Sequence, residues 1–192
     1  MSDVKSILMV GVGGQGTILA GKILSRGLMA AGYDVKMSEV HGMAQRGGSV
    51  SNQVRFGEKV FSPIIGKGQA DILVAFETME AMRWLEYLKP SGLVVVNDFR
   101  IPSGPILIGQ CDYPDQILES LRAKVSVTVI RAGEIAASLG NVRTMNMVLL
   151  GALVQGMNLT QIDFAGEIER NVKPATVAVN LAAFRAGMAA VR

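Results

Sequence analysis

The chain has 192 residues, close to the usual size of one domain, so we expect residues 1–192 to form a single domain. Its 19 basic and 16 acidic residues give a net charge of +3 without a basic run, which argues against a nucleic-acid partner. The single cysteine, Cys111, excludes an internal disulfide and a cysteine-ligated cluster, and we expect no metal site in this chain.

The apolar composition predicts a protein partner. Hydrophobic residues make up 49% of the chain and charged residues only 18%, so part of the apolar surface is expected to meet another subunit or, in isolation, a second copy in a homodimer. The first residues lack the features of a secretory signal, which predicts a cytoplasmic location. The uncharged stretch 144–162 is interrupted by Asn146, Gly151 and Gln155, which favours a buried or interfacial helix over a membrane span.

Short apolar runs alternate with helical patterns over the first 130 residues. Strands are predicted at 7–12, 35–40, 49–56, 71–76, 93–97, 105–109 and 125–130. Helices are predicted at 14–31, at 78–88 and after Pro114. This alternation predicts an α/β, Rossmann-like layered domain with a mostly parallel sheet. Polar and apolar residues alternate in 49–56, so we expect that strand to be antiparallel or at an edge with one solvated face, and the sheet to be mixed.

The remaining residues predict a helical C-terminal region with breaks at 139–141 and near 173–174. The last helix has a bulky apolar stripe at Val177, Leu181, Phe184, Met188 and Val191. Alanines form a stripe on the opposite side, at Ala175, Ala178, Ala182, Ala186 and Ala189. The bulky stripe is expected to pack on the sheet and the small stripe against a close neighbour. The alternative is that the alanines only favour a helix.

A glycine-rich loop follows the first predicted strand and opens the first helix. The members expected to bind a cofactor are Gly11, Gly13, Gly14, Gln15 and Gly16. Such a loop lets bare backbone approach a ligand, and Glu39 lies where a ribose-binding acid would complete a dinucleotide site. The alternative is that the glycines only allow close helix–strand packing. A phosphate-loop match at 16–22 is rejected, because Ile23 stands where Ser or Thr is required.

The loop between the second and third predicted strands carries the only histidine. Its candidate ligand-binding residues are His41, Gln45, Arg46, Gly47 and Gly48. Cationic side chains and glycine amides in one loop can bind an anion, and the alternative is a solvated surface loop. Glu77 and Asn97, at the ends of predicted strands, are weaker candidates, and Glu77 has the alternative role of serving the start of the next helix.

Three segments together resemble a known family: GVGGQG at 11–16, EVHGMAQRGGSVSNQVRFG at 39–57 and DILVAFETMEAMR at 71–83. They resemble the gamma subunit of 2-oxoacid (pyruvate/ketoisovalerate/indolepyruvate):ferredoxin oxidoreductases. The chain length and the HGMAQRGG segment are similar to those of the small subunit of the indolepyruvate type in particular. The resemblance covers essentially the whole chain.

The resemblance implies a subunit of an enzyme that decarboxylates a 2-oxoacid oxidatively to an acyl-coenzyme A and reduces ferredoxin. The implied partners are large catalytic subunits, which would hold thiamine diphosphate, magnesium and iron–sulfur clusters and would connect this chain to ferredoxin. The resemblance places His41, Gln45 and Arg46 near the shared active site or the coenzyme A path. No residue is assigned a catalytic role, and the chain is not expected to be catalytic alone.

Two alternatives stay open at the level of sequence. One is a free-standing NAD-binding oxidoreductase that uses the glycine loop and Glu39. The other is a structural brace within the assembly that binds no ligand.

Overall fold

Residues 4–41 and 47–191 are described by a computed structural model, in which they form a six-stranded sheet flanked by helices. The strands are β1 (Lys5–Val12), β2 (Asp34–His41), β3 (Ser49–Gly57), β4 (Ala70–Ala75), β5 (Leu88–Asn97) and β6 (Ser126–Ile130). Their spatial order is β2-β3-β1-β4-β5-β6. β1, β4, β5 and β6 pair in parallel, whereas β3 runs antiparallel to both of its neighbours. The predicted α/β class and mixed sheet are confirmed.

The helices cover both faces of this sheet. They are α1 (Thr17–Ala30), α2 (Thr78–Arg83), α3 (Gly104–Leu107), α4 (Ile117–Arg122), α5 (Ala132–Ser138), α6 (Met145–Gly156), α7 (Phe164–Asn171) and α8 (Val177–Ala189). Apolar side chains of α1 and α5 to α8 share one core with one face of the sheet. Side chains of α2 and α4 share a second core with the other face. The predicted helical C-terminal region is therefore confirmed.

β3 differs from its prediction in one respect. It is antiparallel, as expected, but it lies between β1 and β2, and β2 forms the edge of the sheet. The expectation of a solvated face was wrong, because Ser51, Asn52 and Gln53 are all buried. The chain that follows β3 covers this strand, and the Oε1 of Gln53 accepts the Ile65 backbone N–H at 2.7 Å.

The predicted strand at 105–109 is also wrong. α3 occupies this segment, with Pro105 in its first turn, where the missing proline N–H costs no intrahelical hydrogen bond. Leu107 and Ile108 are 72% and 70% exposed. This apolar run therefore lacks the cover on both faces that a buried strand requires.

α6 and α8 pack backbone to backbone. A Cβ on Gly151 would lie 2.0 Å from the Phe184 carbonyl oxygen, and one on Gly187 would lie 1.9 Å from that of Val148. α6 confirms the buried helix expected within 144–162, and no helix of the described residues is long and apolar enough to cross a membrane. Phe184 of the bulky stripe is buried, whereas Ala178 and Ala189 are exposed. A partner on the alanine stripe stays a prediction.

Candidate functional site

The carboxyl ends of the four parallel strands meet at one edge of the sheet, which is where open α/β sheets usually bind ligands. β1 leads there into the glycine loop, β4 into Glu77, β5 ends at Asn97, and β6 leads into α5. The glycine loop, Glu77 and Asn97 therefore lie on the same edge, as their positions in the sequence predicted.

Two glycines of the loop are needed for packing. A Cβ on Gly11 would lie 2.8 Å from Gln15 Oε1 and 2.9 Å from Phe76 Cβ, so β1 and the chain after β4 leave no room for a side chain. Gly16 has a φ of 80°, and its Cβ would lie 2.7 Å from the Asn146 side-chain nitrogen. Gly14 differs, because its φ is 102° but, apart from its chain neighbours, no atom of the described residues lies within 4 Å of the Cβ position. Close packing thus explains Gly11 and Gly16, while Gly14 borders open space.

Gln15 and Asn97 tie the sheet edge together. Gln15 accepts the Val12 backbone N–H at 2.7 Å and donates to the Phe76 carbonyl oxygen at 2.8 Å. Asn97 donates to the same carbonyl at 3.1 Å and accepts the backbone N–H of Ala132 at 3.0 Å. Both side chains are buried, so their amide groups are used within the fold. These contacts fix the glycine loop relative to β4, β5 and the start of α5.

α1 begins without a side-chain cap. Its N-cap residue is Gly16, so the first-turn amide groups of α1 have neither a side-chain cap nor an intrahelical acceptor. Amides in this position carry the positive end of the helix dipole and favour an anionic group. Thr17, the first helical residue, is only 4% exposed. Thr17 was not among the predicted site residues, although its place directly after the last loop glycine could have indicated it.

A cleft of about 450 Å³ opens beside this helix start. It is lined by Gly13, Gly14, Gly16, Thr17, Ile18, His41 and Val50. His41 reaches it because it pairs in register with Val50, which in turn pairs with Gly11. The Gly13 N–H also donates to the Gly48 carbonyl oxygen at 2.9 Å. The structure thus brings together the two loops singled out in the sequence.

Part of the second loop falls outside the described residues. Gln45 and Arg46 lie in the 42–46 gap, so their predicted roles stay predictions. Gly47 has a φ of 82°, a conformation that favours glycine. Gly48 contributes its carbonyl oxygen to Gly13, and this backbone contact holds the end of the loop against the cleft.

Glu39 is not placed to complete a dinucleotide site. In that type of site the acid lies on the strand next to β1, but here β3 separates β2 from β1. Glu39 pairs with Asn52, which pairs with Met9, so it lies level with the middle of β1 and two strand spacings away, about 10 Å. The geometry argues against the NAD-binding alternative.

Comparison with known proteins agrees with the sequence resemblance. Residues 6–190 match the family described as pyruvate ferredoxin/flavodoxin oxidoreductase. The chain belongs to this family. The indolepyruvate oxidoreductase subunit IorB of Thermococcus kodakarensis is 38% identical over 195 residues, which cover 97% of this chain and 96% of that protein. Relatives of this oxidoreductase family are subunits of larger enzymes, as the sequence implied.

Solved structures show the same fold. The gamma subunit of a keto/oxoacid ferredoxin oxidoreductase from Geobacter sulfurreducens PCA superposes with a TM-score of 0.72 at 23% identity and covers 97% of both chains. The 2-oxoglutarate:ferredoxin oxidoreductase of Magnetococcus marinus gives a TM-score of 0.73 at 23% identity. That match covers 99% of this chain but only 31% of the other, so the fold also occurs as one part of a much longer chain.

A second hollow, of about 330 Å³, also borders the glycine loop in this oxidoreductase family member. It is lined by Gly14, Gln15, Gly16, Phe99, Gly133, Val142, Arg143 and Met145. Phe99 and Val142 are exposed apolar side chains. The sequence indicated only the glycine-loop wall of this hollow, because its other walls come from three separate parts of the chain.

Glu77 closes the start of α2. Its carboxylate accepts the Glu80 backbone N–H at 2.9 Å, the Ile101 backbone N–H at 3.2 Å and the Tyr113 hydroxyl. Burial and this hydrogen bond to Glu77 raise the pKa of the Tyr113 hydroxyl. The expectation that Glu77 serves the start of the following helix is confirmed, and Glu77 is only 1% exposed.

Proposed function

We propose that this chain is the gamma-type subunit of a thiamine diphosphate-dependent, cytoplasmic 2-oxoacid:ferredoxin oxidoreductase. In this proposal the assembled enzyme acts on indolepyruvate or a similar aryl 2-oxoacid. In this proposal the chain is a single gamma-type domain that docks on the catalytic subunit. The observation that carries the proposal is the 38% identity to an indolepyruvate oxidoreductase subunit over nearly the full length of both chains.

The redox cofactors are proposed to lie on the larger subunits. An iron–sulfur cluster needs several thiolate ligands, and the only cysteine of this chain, Cys111, is exposed. The donor set of this chain therefore does not fit a cluster. Electrons would reach ferredoxin through the catalytic subunits, which would also hold thiamine diphosphate and magnesium.

The carboxyl edge of the sheet is the proposed docking surface. Its glycine loop is bordered by exposed apolar side chains, namely Ile18, Phe99 and Val142. Exposed apolar groups beside a ligand-sized cleft are typical of an interaction surface. Docking here would place His41, Gln45, Arg46, Gly47 and Gly48 against the substrate or coenzyme A path of the partner. A guanidinium at Arg46 suits the carboxylate or phosphate groups that these molecules carry.

Reconstitution tests the proposal. The chain is co-purified with a larger chain that carries a thiamine motif and clustered cysteines, and ferredoxin reduction is measured with coenzyme A and indolepyruvate, pyruvate or 2-oxoglutarate. We expect activity only from the complex, with the highest kcat/KM for indolepyruvate. Activity of this chain alone, or a stable complex that oxidises none of the three, contradicts the proposal.

The role of the second loop is tested in the same complex with Arg46→Lys. Lysine keeps the charge but cannot form two parallel hydrogen bonds, so kcat/KM should fall about tenfold, equivalent to about 1.4 kcal/mol. Subunit affinity and thermal stability should not change. Unchanged kinetics at saturating subunit concentration would show that the loop does not reach the substrates.

A further inference from the structure

Two threonines occupy the same place in this fold but differ in their contacts. Thr17 and Thr78 are each the first residue of a helix that follows a parallel strand, and both are almost completely buried. The Thr78 hydroxyl donates to the Phe99 carbonyl oxygen at 2.9 Å. The Thr17 hydroxyl has no hydrogen-bond partner among residues 4–41 and 47–191.

The direction of the Thr17 side chain follows from its packing. Its γ-methyl lies 3.3 Å from the Cβ position of Gly11, so the methyl faces β1 and the hydroxyl takes a different staggered position. In the described part of the chain, the completely enclosed polar side-chain atoms without a partner belong to Ser51 and Asn52. The Thr17 hydroxyl is not among them, so it is not completely enclosed, and the open space that Thr17 lines is this cleft.

A buried hydroxyl without a partner is unfavourable unless a ligand or water completes its hydrogen bonding. Beside apolar lining from Ile18 and Val50, the polar groups next to it in the cleft are first-turn amides of α1 and the His41 side chain, all of which can donate to an anion. No acidic side chain lines the cleft in the described residues. A set of donors without a carboxylate selects an oxyanion.

We propose that the Thr17 hydroxyl is a ligand-binding group, which donates a hydrogen bond to a phosphate or carboxylate held in this cleft at the start of α1. The inference rests on the proposed function for the view that the cleft serves a ligand of the assembled enzyme. The γ-methyl of Thr17 fixes the hydroxyl toward the cleft by filling the space beside Gly11.

Binding to the full chain tests the inference without the catalytic subunit. Inorganic pyrophosphate and pyruvate are titrated separately by calorimetry into the wild type and into Thr17→Val, Thr17→Ser and Thr78→Val. Because a hydrogen bond to a charged group is lost, Thr17→Val should weaken binding by about tenfold or more. Thr17→Ser should stay within about threefold of the wild type, since it keeps the hydroxyl.

Thr78→Val is the matched control. It removes a hydroxyl that only the fold uses, so it should lower the melting temperature and leave anion affinity within about twofold. Binding of pyrophosphate that depends on Thr17 identifies a phosphate ligand, and binding of pyruvate that depends on Thr17 identifies a carboxylate. If neither anion binds the wild type, or Thr17→Val binds both as the wild type does, the inference is wrong. If the inference is wrong by either result but the wild-type chain restores activity to the catalytic subunit, the proposed function stands.

Discussion

The starts of α1 and α2 lie on the same edge of the sheet, each after a parallel strand, yet they are completed in opposite ways. At α2, the Glu77 carboxylate caps the helix and the Thr78 hydroxyl donates to Phe99. At α1, the cap position holds Gly16, which has no side chain, and the Thr17 hydroxyl is unpaired within the described residues. One helix start is satisfied by the chain itself, and the other presents its donors to a cleft of about 450 Å³.

This difference separates a structural helix start from one available to a ligand. The contacts of Glu77 reach Ile101 and Tyr113 and hold the segment after β5 against α2. Gln15, beside the start of α1, instead bonds to the backbone of the sheet edge, and no side chain of the described residues caps α1. Mutations at the start of α2 should therefore lower stability. At the start of α1, mutations at packed positions should lower stability, and those at the cleft should lower ligand affinity.

The largest stability effect is expected for Glu77→Ala. Removing a buried carboxylate that accepts three hydrogen bonds leaves two backbone N–H groups and the hydroxyl proton of Tyr113 without an acceptor, and should lower the free energy of unfolding by about 3 kcal/mol. Glu134→Ala is the control, because Glu134 lies in the first turn of α5 but is exposed, and should cost less than about 0.5 kcal/mol. Urea denaturation measures both. Equal losses would show that Glu77 is not the closure of α2.

Two glycines allow the effect of packing at the start of α1 to be separated from the effect of backbone conformation. Gly16→Ala combines a left-handed φ with a methyl 2.7 Å from the Asn146 side-chain nitrogen, and should lower stability by about 2 kcal/mol. Gly14→Ala has only the unfavourable φ, because its Cβ would meet no atom of the described residues within 4 Å, and should lower stability by about 1 kcal/mol. Thermal unfolding of both variants measures the difference. If Gly14→Ala were the more damaging, the packing role of Gly16 against α6 would be wrong.

Most strands and helices of this fold were predictable from the sequence, and the wrong predictions have physical causes. Period and apolar runs located the six strands and the main helices, because those patterns are local. The burial of β3 was missed, because the cover over Gln53 comes from a segment beyond the strand, which donates the Ile65 backbone N–H to this side chain. The run at 105–109 is apolar, which favoured a buried strand. In the fold Leu107 and Ile108 are exposed, and a local sequence pattern does not record that exposure.

The candidate site shows the same limit. The glycine loop and His41 were identified by local spacing and by the family resemblance, and the structure places both on one cleft. Thr17 follows the last loop glycine directly, but only its contacts distinguish it from Thr78, whose hydroxyl donates to Phe99. Such a contrast depends on where distant carbonyl groups lie, and no local pattern records it.

The smallest effect is expected at Tyr113, at the outer side of the α2 start. Burial and the hydrogen bond to Glu77 raise its pKa above the usual value of about 10, so the protonated hydroxyl is favoured in the folded state. A raised folded-state pKa gives a stability contribution that is complete below pH of about 10 and is lost as the pH rises through the folded-state value. Wild type should therefore lose more stability between pH 9 and 11, taken as roughly one unit either side of that value, than Tyr113→Phe does. Other groups that titrate in this range are common to both proteins and cancel in the difference. Parallel curves of unfolding free energy against pH would show that Tyr113 does not take part in closing this helix start.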